Sequence, residues 1–530
     1  MSFAKVVPFS AENLNIGLAN NNATPAEIAG HGHAKYLYEY LTSMRAASIV
    51  VEDPYTDGDF LDDYTSYYAR CYSAFGRRCK RLHFFRRELT KESFLEILLQ
   101  PQDEGGKALQ VDYLGFVVVR PLPQTVIGRC VLKTYDDDGG ARRHFPVNRT
   151  YKVNLFGLSL HVDGLAYQEQ DTVLAACATV ALWSAFHRTG DLFGTAIPTP
   201  ALITQAATQA VHSVHYGRPI PQHGLRVEEM CAAIRHNGLE PEAVNLQRTA
   251  NVPLASLLYG YLRMGLPAIL IVEIPGVGWH AITLTGYSLL AAPCRNQEVP
   301  GNPAIAPMVG LRIDRFYGHD DQIGPNARLI IQDAPTPIPA QTRSPIRFQS
   351  TWADARGDHY LYPMAVVVPI YNKIRLTFLE VQAWITPLHA VFAGAFPEPA
   401  RIEWDVSLVL SNDFKRELKS DTNLSSGVRE SLLLTHHPRF WWRATMRYAG
   451  LPFCHLLFDA TGIARSFPLS TVIWPVEALA IFMKRALDDA NPSNPAIRQM
   501  LKTDRYVQFL RETVDHLERP GELLGRHLVS

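Results

Sequence analysis

The order of hydrophobic patterns along the chain predicts an α+β fold. Between residues 171 and 263 apolar residues recur at helical spacing, and Gly, Asn or Pro residues separate the runs. After Gly265 the pattern changes to short runs rich in β-branched residues, beginning with AILIVEI at 268–274. Helices that come before a group of strands are typical of α+β domains.

Composition limits the class of protein. The chain has 530 residues, which at roughly 150 residues per domain predicts two to four domains. Lysine plus arginine equals aspartate plus glutamate at 51 each, so the net charge gives no reason to expect a nucleic-acid partner. The seven cysteines are odd in number and widely spread, which favours a reducing compartment over a disulfide framework.

The ends and apolar runs of the chain carry no membrane signal. The N-terminus MSFAKVVPFSAENLN lacks a basic segment followed by a long apolar run, so it does not read as a secretory signal. The longest apolar runs, such as 266–272, are far shorter than the roughly 20 residues of a membrane span. We therefore expect a cytoplasmic protein without a membrane partner.

The pattern in the first region, residues 1–150, predicts a mixed α/β accessory region. Helices are predicted at 34–47 and at 90–99, where Thr90 and Ser93 have the spacing of a capped first turn. Two β-branched runs at 114–119 and 127–132 flank a Pro-Leu-Pro turn and predict two strands. The loop DDDGGARR at 136–143 is a candidate boundary.

The second region, residues 151–372, contains the helices and strands of the α+β pattern. Asp171 or Thr172 is predicted to cap a helix that ends near His187. Further helices are predicted at 199–214, 227–236 and 254–263, and strands at 268–274, from 280, at 313–317, 328–332 and 364–370.

The third region, residues 373–530, is expected to be a mostly helical accessory region. It has a strand-like run at 406–410 and two predicted helices at 476–490 and 496–517. It offers no arrangement of residues that predicts chemistry.

Cys177 is the candidate nucleophile because it stands near the start of a predicted helix. Unpaired backbone amides and the helix dipole favour the thiolate there, and the thiolate is the form that attacks a carbonyl. The competing interpretation is structural: the surrounding AACATVAL is apolar, and a buried cysteine is usually an inert small hydrophobe.

Several segments follow one another in an order that resembles a known enzyme superfamily. They are Gln170, Cys177, GLPAILIVE at 265–273, His280 at the start of a strand, and FYGHDD at 316–321. In this order they resemble the papain-like cysteine peptidase superfamily, most of all its bacterial branch that includes the bacteriocin-leader peptidases. The resemblance covers about a third of the chain and implies a papain-like domain, with the Cys on a helix start and the His and Asp on an antiparallel sheet.

The resemblance implies a role for each matching residue. Cys177 would attack the acyl carbon, His280 would hold its proton, and Asp320 would orient the imidazole. Gln170 would donate its amide to the oxyanion beside the backbone N–H of Cys177. Alternatives remain: Asp321 or Asp333 for the orienting carboxylate, with Asp321 expected on the opposite face of the strand from Asp320, and Gln168 for the oxyanion donor.

Two departures from the superfamily pattern bear on the oxyanion site: the first keeps Gln168 open as the donor, and the second concerns the backbone geometry beside Cys177. The separation from Gln170 to Cys177 is seven residues where the superfamily usually has six, and Ala178 stands where its bacterial members often have Gly.

The resulting expectation is a cysteine peptidase, or a related thiol acyl-transfer hydrolase, that acts on a peptide or protein. A transglutaminase-like or deamidating activity uses the same residue types. A catalytically inactive papain-like fold that serves as a binding or scaffold module is the alternative outside enzymes. No cofactor or metal is expected, because His31 with His33, and Cys71 and Cys79 with His83, lack a second ligand pair at zinc-finger spacing.

Overall fold

The computed structural model divides the chain into two compact units. The first consists of Met1–Thr249, Gly265–Leu289 and Asp314–Ile370, and the second of Ala250–Met264, Leu290–Ile313 and Tyr371–Ser530. The structure describes residues 4–100, 102–171, 176–210, 224–247, 253–291, 306–331, 346–349, 360–422, 424, 426–462, 469–475, 478, 479, 481 and 482. The predicted boundary near 372 lies close to Tyr371, whereas residues 1–150 share a unit with the predicted site residues.

The first unit begins with a five-stranded antiparallel sheet in which each strand pairs with the next along the chain. Its strands are β1 (Ala4–Pro8), β2 (Ser48–Tyr55), β3 (Cys79–Phe85), β4 (Tyr113–Val119) and β5 (Ile127–Leu132). The accompanying helices are α1 (Ala11–Leu18), α2 (Pro25–Gly30), α3 (Gly32–Ser43), α4 (Gly58–Ser66), α5 (Lys91–Leu98) and α6 (Gln102–Gln110). The two strands predicted in this region are confirmed as β4 and β5.

Both faces of this sheet are buried, because alternate strand residues enter two different cores. Ile49 and Phe84 join a core with residues of α1, α2 and α3, including Leu37. Val50 and Phe85, one position further along the same strands, join the main core of the unit. The sheet therefore lies between α1–α3 and the main core of the unit.

A second sheet forms the other half of the first unit. After β5 the chain forms strands β6 (Arg143–His144), β7 (Arg149–Leu155), β8 (Leu158–Gly164) and β9 (Leu239–Asn245), and helices α7 (Cys177–Phe193), α8 (Pro200–Ala210) and α9 (Val227–His236). Strands β6 and β9 belong to the second sheet, whereas β7 and β8 pair only with each other. The remaining strands are β10 (Ala268–Ile274), β11 (Gly278–Leu289), β12 (Ile313–Asp320), β13 (Gly324–Ile331), β14 (Ile346–Gln349) and β15 (Tyr360–Tyr371). Strands β10 to β15 pair in sequence order, and β10 also pairs with β15, so these six strands close into a ring.

Helix α7 packs its apolar residues against the second sheet. Trp183 and Phe186 are fully buried in the main core together with Ile271 and Ala281 of β10 and β11. The Thr283 hydroxyl on β11 donates to the Ala181 carbonyl of α7 at 2.8 Å. This bond fixes α7, which carries Cys177, to the strand that carries His280.

The second unit is built around a four-stranded antiparallel sheet. Its elements are α10 (Leu254–Leu262), α11 (Phe378–Ala395), β16 (Ile402–Leu410), α12 (Ser411–Ser420), α13 (Ser426–Leu434), β17 (Phe440–Tyr448), β18 (Leu451–Asp459) and β19 (Leu469–Ile473). The fully buried Trp442 of β17 meets the ring of Tyr261 edge-on, with 5.1 Å between ring centroids, and its indole N–H donates to the Leu376 carbonyl at 2.8 Å. The region predicted to be mostly helical thus contains a four-stranded sheet. Trp442 of this sheet packs on Tyr261 of α10.

Most predicted elements are confirmed, with corrections at the central helix. The cap expected at Asp171 or Thr172 is wrong, because Ala176 is the N-cap and α7 begins at Cys177. The expected end near His187 is also wrong. The helix passes through Gly190 and ends at Phe193, where Gly194 adopts a left-handed conformation with φ 72°.

Some predictions fall on residues that the structure does not describe. They are the end of the helix predicted at 199–214, nearly all of the helix at 476–490, and the whole of the helix at 496–517. Within the described part of the chain, no helix has the length and apolarity that crossing a membrane requires.

A buried charge cluster in the second unit gives a first testable prediction. Asp405 of β16 accepts hydrogen bonds from Arg263, from Arg447 at 3.1 Å and from the Tyr259 hydroxyl at 2.9 Å. Burial alone would raise the pKa of Asp405, but the neighbouring guanidinium groups, Arg263 first, hold it below its usual value.

We expect Asp405→Asn to lower the free energy of unfolding by about 3 kcal/mol, because it removes one partner of a buried ion pair. Urea unfolding at pH 7 measures the loss. As pH falls below about 4, the ionised Asp405 carboxylate contributes less and less to the free energy of unfolding of the wild type. The unfolding free energies of wild type and Asp405→Asn should therefore approach each other. The control Asp413→Asn removes an exposed partner of Arg416 and should change stability by less than about 1 kcal/mol. Equal effects of the two substitutions would contradict the buried-pair interpretation.

Candidate functional site

The thiol of Cys177 lies at the first residue of α7. The backbone N–H groups of a helix's first turn have no acceptor inside the helix, and the N-cap residue Ala176 makes no side-chain hydrogen bond that would satisfy them. Positive charge therefore remains at this helix end, beside the sulfur. Cys177 is half-buried, while Ala178 and the residues after it are buried in the core.

His280 lies on β11, opposite Val272 of β10, and its side chain is 3% exposed. Its Nε2 is 3.1 Å from Oδ2 of Asp320 and 3.6 Å from Oδ1 of Asp321. The imidazole also makes a side-chain hydrogen bond with Cys177. One buried ring therefore contacts the thiol and two carboxylates.

The two aspartates lie at the end of β12, where the strand pairing becomes irregular. The β12–β13 register shifts between Gly318 and Asp320, and β12 ends at Asp320. Strict alternation would place Asp321 on the opposite face from Asp320, as the sequence predicts. That expectation is wrong, because the chain turns here and both carboxylates lie near His280. Oδ1 of Asp320 also accepts the Gln322 backbone N–H at 2.9 Å.

Burial and neighbouring charges shift the pKa values of His280, Asp320 and Asp321 in different ways. Burial lowers the pKa of His280, but Asp320, together with hydrogen bonds to Asp320 and Cys177, raises it well above its usual value. Burial would raise the pKa of Asp320, yet the charge of His280 brings it below its usual value. Burial dominates at Asp321 and raises its pKa. The electrostatics favour an imidazolium paired with an ionised Asp320 beside a protonated Asp321.

The segment with the candidate oxyanion donors is bound to the edge of the first sheet. Tyr167 exchanges backbone hydrogen bonds with Cys130 of β5, and the Glu169 N–H donates to Ile127 of β5 at 3.1 Å. Gln168 and Gln170 flank Glu169. Gln168 is 3% exposed, and its Nε2 donates to no acceptor among the described residues, whereas Gln170 is half-buried. The two glutamines therefore differ in burial, and both stay candidates for the oxyanion donor.

Three residues on one face of α3, at positions 33, 36 and 40, contact Asp321 and the start of β13. His33 Nε2 donates to the Asp321 carbonyl at 2.9 Å, and the Tyr36 hydroxyl donates to the Pro325 carbonyl at 2.8 Å. The Asn326 amide donates to the Tyr40 hydroxyl at 3.1 Å. Residues near the N-terminus therefore hold the turn that presents the acidic pair.

His319, between the strand and the acidic pair, has a structural role. Its Nε2 donates to the Leu165 carbonyl at 3.0 Å, and its Nδ1 accepts the Asn326 N–H at 3.1 Å, so the ring is neutral. Burial lowers the pKa of His319 to about 4, which is consistent with this neutral form.

His280, Asp320 and Asp321 also have the composition of a metal site. One ligand atom from each lies within 4.8 Å of the others. Imidazole nitrogen and carboxylate oxygen both bind Zn²⁺. Neither Oδ atom of Asp321 receives a hydrogen bond from another described residue, so an ion would find free lone pairs there. The three residues fit a divalent cation as well as a proton network.

The structure brings Cys177, His280 and Asp320 together, as the sequence predicts, and adds Asp321 to them. Asp333 lies outside the described residues. His33 and Glu169 are the site residues that sequence reasoning missed. His33 is 288 residues from its partner Asp321, and no local pattern marks such a contact.

No protein-family description, no curated protein and no solved structure matches the chain.

The turn that carries the acidic pair depends on Gly324. A Cβ at this position would lie 2.2 Å from the Tyr36 ring, closer than any non-bonded contact allows. We expect Gly324→Ala to cost about 1–3 kcal/mol of unfolding free energy, because α3 and the turn must separate. Urea denaturation gives the value. Gly58→Ala is the control, since a Cβ there meets nothing within 4 Å, and it should stay within about 0.5 kcal/mol of wild type. A Gly324→Ala protein as stable as this control would show that the close packing on Tyr36 is not required.

Proposed function

We propose that the chain is a thiol hydrolase of the cysteine peptidase type, in which Cys177 is the nucleophile and His280 its acid–base partner. The observation that carries the proposal is the position of the His280 ring, which hydrogen-bonds to the Cys177 thiol and to the Asp320 carboxylate. A nucleophile, a base and a group that orients the base form the arrangement that covalent acyl transfer needs. A helix that starts at the thiol and packs on the strand of the histidine is also what the papain-like resemblance implies.

The residues would act in the following order. Because Nε2 of His280 faces the carboxylates, Nδ1 is the ring nitrogen left to take the thiol proton. The thiolate bonds to the substrate's carbonyl carbon, and the carbonyl electrons move to the oxygen, where the amides of the first turn of α7 and a glutamine amide stabilise the charge. When the oxyanion collapses, the C–N bond breaks and the amine takes the proton from His280. Water then attacks the thioester, gives its proton to His280, and releases the acid and the free thiol.

The uncapped start of α7 supports this chemistry over an inert buried cysteine. The other described cysteines provide the contrast: burial raises the pKa of Cys79 to about 12, and it also raises the pKa of Cys130, Cys231 and Cys454. Cys71 is half-buried like Cys177, and its sulfur faces the Tyr67 carbonyl, 3.7 Å away. Cys71 is thus a comparison thiol within the same chain.

The first test is the rate of iodoacetamide labelling of each cysteine across pH, with mass spectrometry to locate the product. We expect Cys177 to react faster than Cys71 at mildly acidic pH, because a neighbouring imidazolium stabilises the thiolate. In His280→Ala the advantage should disappear, and labelling should fall about tenfold per pH unit below about 8.5, as for an ordinary thiol. If Cys177 reacts no faster than Cys71 in the wild type, the thiol is not activated and the binding-module alternative is favoured.

Turnover is then tested with a peptide library and the variant Cys177→Ala. Loss of all cleavage in a folded Cys177→Ala protein supports the peptidase, and retained cleavage refutes it. The same assay after EDTA dialysis addresses the metal alternative. Activity that EDTA removes and Zn²⁺ restores would assign His280, Asp320 and Asp321 to a metal centre.

Substitution of Asp320 and of Asp321 should have different effects on the labelling rate of Cys177. Asp320→Asn removes the charge 3.1 Å from His280, so we expect the fast labelling of Cys177 at acidic pH to fall about tenfold or more. Asp321→Asn resembles the protonated acid that burial favours, and labelling should stay within about threefold of wild type. Labelling rates of the two folded variants at pH 6 make the comparison. A larger loss in Asp321→Asn would make Asp321 the orienting carboxylate.

A further inference from the structure

His33 joins two parts of the candidate site that come from distant segments. Its Nε2 donates to the backbone carbonyl of Asp321 at 2.9 Å, and its Nδ1 is 3.2 Å from Oε1 of Glu169. Asp321 follows the orienting carboxylate Asp320 directly. Glu169 lies between Gln168 and Gln170, the two candidate oxyanion donors. One imidazole therefore spans the acidic side and the glutamine side of the site.

Each partner of His33 is itself held in place. The second carboxylate oxygen of Glu169 accepts the Ile127 N–H at 3.1 Å, and the Glu169 carbonyl accepts from Arg120, a fully buried guanidinium, at 3.0 Å. The start of β13, which follows the turn after Asp321, is hydrogen-bonded to Tyr36 and Tyr40 of the same helix as His33. Because its neighbours are fixed, His33 has little freedom to exchange partners, and its side chain is only 15% exposed.

The hydrogen-bond chemistry determines how the ring is used. A carbonyl oxygen can only accept, so Nε2 of His33 carries a proton. A carboxylate also only accepts, so the contact with Glu169 needs a second proton, either on Nδ1 or on Glu169 itself. Any hydrogen-bond donor in the place of Nε2 can make the contact with the Asp321 carbonyl. The contact with Glu169 depends on the protonation of His33 or Glu169.

We propose that His33 is a positioning residue for the thiol site, and that its essential contact is the hydrogen bond from Nε2 to the Asp321 backbone. This inference rests on the proposed function of Cys177 and His280. The bond fixes the end of β12, and with it the distance between Asp320 and the imidazole of His280. Without it, the turn loses its one side-chain contact to the backbone of the acidic pair among the described residues, and the imidazolium is held less well against the thiol.

The test compares glutamine and asparagine at position 33. Glutamine places an amide N–H near the position of Nε2, so it can still reach the Asp321 carbonyl. Asparagine places its amide near the position of Nδ1, so it reaches only towards Glu169. Lys35→Ala, at an exposed position of the same helix, is the matched control. Iodoacetamide labelling of Cys177 at pH 6 is measured for each full-length variant, with urea unfolding alongside.

We expect His33→Ala and His33→Asn to label Cys177 about tenfold more slowly than wild type, because small displacements of a catalytic group have large kinetic effects. His33→Gln should stay within about threefold, and Lys35→Ala should match wild type. Equal rates for the glutamine and asparagine variants would overturn the proposal, whether or not His33→Ala folds. A glutamine variant as stable as the asparagine variant, yet faster in labelling, is a result that a merely structural role would not produce.

The proposed function and the role of His33 fail in different experiments. If the proposed function is wrong, wild-type Cys177 shows no advantage over Cys71, or His280→Ala keeps that advantage. If only the role of His33 is wrong, wild type and His280→Ala behave as expected, and the glutamine and asparagine variants at position 33 label Cys177 at equal rates.

Discussion

The candidate site depends on the hydrogen-bonded pair of His280 and Asp320. Both side chains are almost wholly removed from water, where an unpaired charge would be costly. Each stabilises the ionised form of the other, which offsets the burial that would otherwise neutralise both. The same imidazole also reaches Cys177, so the buried charge is held where a thiolate would form.

The N-terminal 150 residues contribute to this arrangement instead of standing apart from it. The edge strand β5 of the first sheet binds the backbone of residues 167–169. Helix α3 of the same region holds the turn that follows β12. Residues that the sequence suggests as an accessory region thus support both the glutamine segment and the acidic pair.

The sequence predicted the parts of the site better than their surroundings. Cys177 before an apolar run and His280 after a Gly-rich turn carry local signals of a helix start and a strand start, and both elements were found. The cap of α7 is predicted four or five residues too early, because Asp171 and Thr172 are typical capping residues, while Ala176 has no capping side chain. The side on which Asp321 lies could not be predicted, since a shift in strand register leaves no composition signal. The role of His33 could not be predicted from the sequence, because its partners Asp321 and Glu169 are distant along the chain and become neighbours only in the folded structure.

The 288 residues between His33 and Asp321 have a consequence for synthesis and folding. A contact between such distant positions closes a very long loop, and it cannot form until the ribosome has released the segment beyond residue 321. Cys177 leaves the ribosome well before His280 and the acidic pair do. The side chains that lie beside Cys177 in the folded chain therefore arrive only with β11 and the end of β12. A nascent chain that ends before residue 280 thus carries Cys177 without its imidazole and carboxylate neighbours.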